Sequence, residues 1–294
     1  MKTLYIDCSM GAAGDMLTSA LLELMPDPEG FIAYLNSLNI PGVTFIKDKA
    51  VKCGICGTHV RVMVGNAEEG AELNGHEHHE HEHEHDHEHH EHGHHEHGHH
   101  PHTGLKDVDH IVSGLDIPDN VKQDVMSVYG LIAGAESHVH GKEIEEIHFH
   151  EVGTMDAIAD VVAVSLLMDE LSVDEVIASP VHLGSGEVRC AHGILPVPAP
   201  ATAFILKDIP VYTGSIRGEL CTPTGAALLK HFADSFAEMP VLKINAIGYG
   251  MGSKDFERAN CVRVMLGETA DITEGMLELS CNVDDMTAEE ISFA

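Results

Sequence analysis

His148, Phe149, His150 and Glu151 are followed at short range by Asp156 and Asp160. In extended backbone, alternate side chains share a face, so His148 and His150 are expected to point the same way. Four residues apart on a helix, Asp156 and Asp160 also share a face. Asp160 is flanked by Ile158, Ala159, Val161 and Val162. An ionised carboxylate in such surroundings is costly unless it is paired or bound to a metal. Two imidazoles and two or three carboxylates can therefore converge where a strand meets a helix, a ligand set suited to zinc, nickel or manganese. This spacing predicts His148, His150, Glu151, Asp156 and Asp160 as metal ligands. The structural alternative is that the histidines are half-buried strand residues and that Asp156 merely favours a helix N-terminus.

Four further groups could carry chemistry. Asp7, Gly11, Gly14 and Asp15 put an acid at a strand end, then a glycine turn, then a helix. Such a turn can hold phosphate on backbone N–H groups. It lacks the lysine of a P-loop and the full dinucleotide spacing. Its carboxylates suit a metal-phosphate or a cationic ligand better than bare phosphate, and a plain tight turn is the alternative. Cys190 and His192 are spaced i, i+2, so thiolate and imidazole can share a face. They would suit a borderline metal or act as nucleophile and base. Pro196, Pro198 and Pro200 stiffen that stretch and keep it out of a central strand. Thr222 and Thr224, after Glu219, can cap the next helix or bind an anion at its N-terminus. Cys53 and Cys56 form a single CxxC, weak evidence for metal or redox chemistry and equally consistent with cysteines flanking a turn.

Residues 76–102 hold 16 of the chain's 25 histidines, interleaved with eight acids. Neutral imidazole is a good ligand for nickel, zinc and copper, so the tract points to transition-metal handling without naming the metal. It has nothing apolar to bury and is expected to be a disordered loop. Its internal position and its acids set it apart from an expression tag.

The elements that must position these residues are short and mixed. Residues 3–8 read as a buried strand, followed by a glycine turn into a helix, and Asp27 with Pro28 starts a second helix to about Leu38. Strands are expected near 43–51 and 58–64 with the CGIC turn between them. Helices are expected near 105–115 and 119–138, then a strand over 145–153 running into a turn, and the most apolar helix over 154–171. A strand at 174–182, a glycine-rich loop, a helix over 222–232 and strands near 240–248, 260–266 and 275–281 complete the pattern. Without strict βαβ alternation the expected fold class is α+β, a mixed sheet with packed helices.

The formal charge is −32, and −24 remains once the tract's acids are set aside, so nucleic acid and anionic membrane surfaces are excluded as partners and cations are favoured. No apolar run approaches a membrane span, and the N-terminus does not read as a signal peptide. Seven scattered cysteines fit a reducing cytoplasm better than a disulfide framework.

The strings DCSMGAAGDM, HFHEVGTMDAIAD, GSGEVRCAHGILPVPAPAT, GELCTPTGAALL, GYGMG and NVDDMTAEEI occur in the order found in the nickel-pincer cofactor insertion proteins, the LarC family, and the chain resembles that family throughout, outside the histidine tract. The resemblance implies insertion of nickel into pyridinium-3,5-bisthiocarboxylic acid mononucleotide. One nickel–carbon and two nickel–sulfur bonds form, and the product is the nickel-pincer nucleotide of lactate racemase-type enzymes. It also implies dependence on CTP with manganese or magnesium, and transfer of a cytidylyl group to the substrate before metallation. His148, His150, Glu151, Asp156, Asp160, Cys190 and His192 are then expected near the metallation site, with His150 or His192 taking the ring proton. Ser9 and Met10 stand where the family more often has an aromatic and a serine, while Asp7, Gly11, Gly14 and Asp15 match.

The expected organisation is a nickel- and substrate-handling domain over 1–75 and 103–272, the metal-binding loop at 76–102, and the start of a truncated nucleotide-binding domain over 273–294. Most of the CTP site is expected to lie beyond Ala294, so expected partners are the C-terminal half or full-length form of the same gene product and the recipient apoenzyme. A homo-oligomer is a further possibility. Two other readings stand beside this one. One is a nickel store or metallochaperone without chemistry of its own, which the tract alone supports. The other is a metal-dependent phosphate-ester hydrolase.

Overall fold

The computed structural model describes residues 1–65, 67–68, 103–149, 151–190 and 193–269, with Ala67, Glu68 and Glu151 described by their backbone only. The expected loop at 76–102, the strand at 275–281 and the domain start at 273–294 lie outside them.

The first strand, β1 (Lys2–Asp7), buries Leu4, Tyr5 and Ile6. A glycine turn leads to α1 (Gly14–Leu22), and Asp27 caps α2 (Pro28–Ser37) by accepting the Gly30 N–H. Strands β2 (Val43–Lys52) and β3 (Ile55–Val64) form a hairpin whose turn carries Cys53 at positive φ, followed by the short β4 (Ala67–Glu68). Helices α3 (Leu105–Ser113), α4 (Asp119–His140) and α5 (Met155–Leu171) follow. Then come β5 (Glu175–Ala178), β6 (Val181–His182), β7 (Gly184–Ser185), β8 (Glu187–Cys190), β9 (Gly193–Pro196) and α6 (Pro200–Ile205). The described chain ends with β10 (Val211–Tyr212), β11 (Gly218–Glu219), α7 (Pro223–Phe232), β12 (Ser235–Phe236), β13 (Leu242–Met251) and β14 (Cys261–Thr269).

The main sheet runs β12-β5-β1-β14-β13-β3-β2, with β4 beside β3. It is mixed: β1 is parallel to β5 and antiparallel to β14, and β13 is antiparallel to β14 but parallel to β3. Leu4 and Ile6 of β1 join the large core beneath the helices. Tyr5, between them, faces the other way against Ile177 and Met265. The period-two alternation thus assigns one face of the sheet to the helices. Helix α5 is buried along almost its whole length and packs on α1, α4 and α7. Helix α1 lies close over β13 because Gly248 and Gly250 leave room: a Cβ at Gly250 would overlap Met16 O, and one at Gly248 would overlap Ala20 O.

Two expectations need correction. The described residues of 145–153 do not form the expected strand. Two 3-10 turns, Ile144–Glu146 and Glu151–Gly153, flank a single bridge between Phe149 and Thr103. Ile147 and Phe149 are still buried and His148 exposed, so the side chains alternate even without a ladder. A strand needs a neighbour's backbone along its length, and among the described residues the pairing is one bridge, in which the Thr103 carbonyl accepts the Phe149 N–H at 2.9 Å. The expected strand at 174–182 is broken at Ser179 and Pro180, and β6 pairs with β10 instead of the main sheet. Proline brings no N–H to continue the ladder.

Candidate functional site

The first turns of α1 and α5 meet at a group of acids. Asp160 lies against Gly14, the first residue of α1, and the backbone N–H of Asp15 supports its carboxylate. Asp156 projects from the same side of α5 one turn earlier, and Asp15, Asp156 and Asp160 all lie within mutual electrostatic reach. Among the described residues, Oδ1 of Asp156 and Oδ1 of Asp160 are buried and have no hydrogen-bond partner. Each of these residues as a whole keeps some exposure, so it is the oxygen atoms, not the full side chains, that are sealed from solvent.

Burial holds the Asp160 carboxyl well above the usual carboxylate range, and the charges of Asp15 and then Asp156 push the same way. Asp15 is also raised, first by burial. His59 on β3 opposes that rise. The His59 Nδ1 lies 2.7 Å from the Met251 carbonyl. A carbonyl only accepts, so Nδ1 carries the proton and the Nε2 edge is left for other partners. Ser19 locks the two elements together: it accepts the Val60 N–H at 2.8 Å and donates to Asp15 O at 2.6 Å. Beneath the acids, fully buried Tyr129 donates to Val152 O at 3.1 Å. Burial and then the charges of Asp156 and Asp160 raise its hydroxyl well above the ordinary value.

Carboxylates this close in a low-dielectric site cannot all ionise without a compensating charge. The positive ends of two helix dipoles supply part of it, and a divalent cation would supply the rest. Among the described residues no three His, Cys, Asp or Glu side chains enclose a metal position. His150, His192 and the side chain of Glu151 lie outside those residues.

The sequence matches the family described as nickel insertion protein over residues 4–294. The chain belongs to this family. It is 42% identical over 292 residues to the pyridinium-3,5-bisthiocarboxylic acid mononucleotide nickel insertion protein of Clostridium kluyveri, covering 98% of this chain and 68% of the relative. The protein of the same name from Clostridium acetobutylicum is 44% identical over 297 residues, covering 98% and 70%. That from Geobacillus kaustophilus is 36% identical over 305 residues, covering 100% and 69%. The chain thus spans about two thirds of the length of these relatives. No solved structure matches it.

Within this nickel insertion family member the motif residues separate. Asp15 joins Asp156 and Asp160, whereas Asp7, at the end of β1, accepts from Arg263 Nη2 at 2.6 Å and from the Ser9 N–H at 3.0 Å. Gly11 has a positive φ and lies where a Cβ would overlap Leu220 O. Thr222 caps α7 by accepting the Gly225 N–H at 3.1 Å, and its own N–H reaches Ala12 O. Thr224 is buried in the first turn of that helix. The GAAGD and CTPTG strings are therefore neighbours, stitched by backbone. Cys190 is half-buried at the end of the β8–β9 hairpin, opposite Gly193, and His148 is exposed. Cys221 is pushed up to about 12, chiefly by burial, and Cys8 is also raised, so neither buried thiol is a ready thiolate. Residue spacing gave no sign of His59. Its one signal is an imidazole among buried β3 residues, a pattern too common to single out.

Proposed function

We propose that this chain handles nickel as a substrate and inserts it into pyridinium-3,5-bisthiocarboxylic acid mononucleotide, as the names of its relatives state for them. The observation that carries the reading is the pair of orphaned buried oxygens on Asp156 and Asp160, brought against Asp15 from a distant string. Such a group favours a cation, and the raised pKa values of Asp15 and Asp160 mean that protons are given up when one arrives. Asp15, Asp156 and Asp160 attract the ion without enclosing it, His59 limits the rise of the Asp15 pKa, and His148, His150, Glu151, Cys190 and His192 complete the transfer path. His150 or His192 takes the ring proton as the nickel–carbon bond forms. A mixed oxygen and nitrogen site suits an ion that must be handed on, because it binds less tightly than a closed thiolate cage.

The finer parts of the proposal are as follows. CTP with manganese or magnesium activates the substrate through a C-terminal part. That part, or a full-length form of the same product, is the partner, and a lactate racemase-type apoenzyme receives the cofactor. Residues 1–75 and 103–272 act as one domain, which is supported by the main sheet drawing strands from both sides of the histidine tract. The proposed location is the cytoplasm; among the described residues no helix is long and apolar enough to cross a membrane.

The test is nickel transfer to the mononucleotide, followed by mass spectrometry of the product, with Asp156→Asn and Asp160→Asn. Loss of product in folded variants is expected, and transfer at the unsubstituted rate overturns the assignment. The 16 histidines of the tract favour a second reading, a nickel store without chemistry. It predicts nickel binding with no product even when the C-terminal partner and CTP are supplied.

A further inference from the structure

Ser19 lies in α1 among buried apolar residues and is itself fully buried. Packing alone would favour alanine there, which has the higher helix propensity and no polar atom to satisfy. The serine oxygen makes two bonds that alanine cannot. Its hydroxyl donates to Asp15 O at 2.6 Å, one turn back, and Oγ accepts the Val60 N–H at 2.8 Å. With the proton committed to Asp15 O, only the lone pairs are left to face β3. Val60 needs that acceptor because of where β13 stops. Strand β13 meets β3 through one bridge, Gly250 to Thr58, and ends at Met251, whereas β3 continues to Val64. Past that end, Ser19 takes the place of a strand neighbour for Val60. The preceding residue, His59, is tied to β13 itself, with Nδ1 2.7 Å from Met251 O. Helix α1 is pressed on the same strand, where a Cβ on Gly250 would overlap Met16 O and come within 2.6 Å of Ala20 N. These contacts close a circuit. It runs from Asp15 through Ser19 to Val60, along the backbone to His59, across to Met251, and back to α1 over Gly250.

We propose that Ser19 is a positioning residue for nickel transfer, whose hydroxyl fixes the spacing between Asp15 on α1 and His59 on β3. The proposal rests on the nickel insertion reading above and adds the residue that sets its geometry. Ser19 is sealed from solvent, so it acts through its neighbours and not on the ion or the nucleotide. His59 is held at two points: its ring at Met251 O, and the backbone beside it at Ser19 Oγ. Without the second anchor the ring can swing about the first, and the first turn of α1 is no longer tied to β3. The effect of His59 on the Asp15 carboxyl agrees with the two side chains being neighbours. Ser165 on α5 supplies the contrast. It is equally buried and donates to Val161 O at 2.8 Å, one turn back, but accepts no hydrogen bond among the described residues. Such a bond ties a helix to itself, whereas the second bond of Ser19 crosses to another element.

The test is a double-mutant cycle on nickel transfer to the mononucleotide, with Ser19→Ala, His59→Ala and the pair. Each protein is assayed at one pH, at saturating nickel, with the C-terminal partner and CTP supplied, and well below its melting temperature. Ser19→Ala is expected to lower kcat about tenfold, as loss of a group that orients a metal ligand does. The KM for the mononucleotide is expected to stay within about twofold of the parent's. In the His59→Ala background the same change is expected to cost less than about twofold, because the residue it acts through is gone. Ser165→Ala, which loses a helical bond but no link between elements, is expected to transfer nickel at the parent's rate. If Ser19→Ala does not fold, Ser19→Cys carries the same cycle, since a thiol is a weak donor and a weak acceptor. A merely structural serine would lower the melting temperature and leave the kcat of the folded protein alone, and that result overturns the proposal. An equal loss of kcat in the parent and in His59→Ala also overturns it. A parent that inserts no nickel overturns the function itself, so the parent's own rate tells the two failures apart.

Discussion

The carboxyl group of Asp160 covers the α-carbon of Gly14: a methyl carbon added to Gly14 would sit 2.6 Å from Oδ2 and 2.7 Å from the Asp160 Cβ. Neither α1 nor α5 can retreat, since both are buried on their other sides. Gly14→Ala is therefore expected to destabilise the fold by about 1–3 kcal/mol through overpacking, read from urea unfolding, and to displace Asp160 and impair nickel transfer. Gly130→Ala is the control. Gly130 is exposed within α4 with no atom within 4 Å of a new Cβ, so alanine there is expected to stabilise by up to about 1 kcal/mol.

Asp160→Asn tests the charge cluster. The folded pKa of Asp160 is raised, so between its unfolded value near 4 and that raised value the native state holds more protons than the unfolded chain. Stability from this group is full below the unfolded pKa and is lost as pH rises through the folded one. The parent is thus expected to lose stability toward neutral and alkaline pH, at up to about 1.4 kcal/mol per pH unit within that window. An amide in place of the Asp160 carboxyl removes that slope, so the Asp160→Asn variant gains on the parent as pH rises from about 4 toward the raised folded value. Parallel urea midpoints for the two proteins across this range would refute the buried cluster.

Where the sequence is legible, the reason is local. Asp27 and Pro28 announce α2 because cap and first turn are chemical facts of adjacent residues. Helix α5 is legible because apolar residues fill most of its seventeen positions without a break for glycine or proline. The approach of Asp15 to Asp160 is not legible: it depends on packing between helices 145 positions apart, and on Gly14, Gly248 and Gly250 permitting it. The string at 145–153 misleads because its alternating burial is real while its strand partners are missing.

Tyr129→Phe isolates the floor of the site. The hydroxyl donates to Val152 O in the turn just before α5, and both groups are buried. Its removal leaves an acceptor unsatisfied and is expected to cost about 1–3 kcal/mol. Because the hydroxyl pKa is raised well above 10.0, ultraviolet titration should show one fewer late-ionising tyrosine in the variant. An unchanged titration curve would place Tyr129 elsewhere.

His59→Ala removes a group that limits the rise of the Asp15 pKa. Asp15 then keeps its proton to higher pH, and a cation must displace it. Nickel binding by calorimetry is expected to require higher pH than in the parent, with more protons released per ion near neutrality. His59→Asn retains a donor toward Met251 O but no ring, so it should follow alanine if charge is the cause and the parent if the β3–β13 contact is.

Deleting residues 76–102 distinguishes collecting nickel from using it. Sixteen imidazoles tethered to one domain raise the local concentration of exchangeable nickel, an effective-concentration gain that matters only while free ion is scarce. The orphaned oxygens of Asp156 and Asp160 are buried where α5 packs against other helices. Nickel transfer by the deletion variant should therefore fall at limiting nickel and return to the parent's rate at saturation. Asp160→Asn should stay impaired at every nickel concentration. If the deletion is equally impaired at saturation, the tract takes part in the transfer itself and the acid cluster is at most a relay.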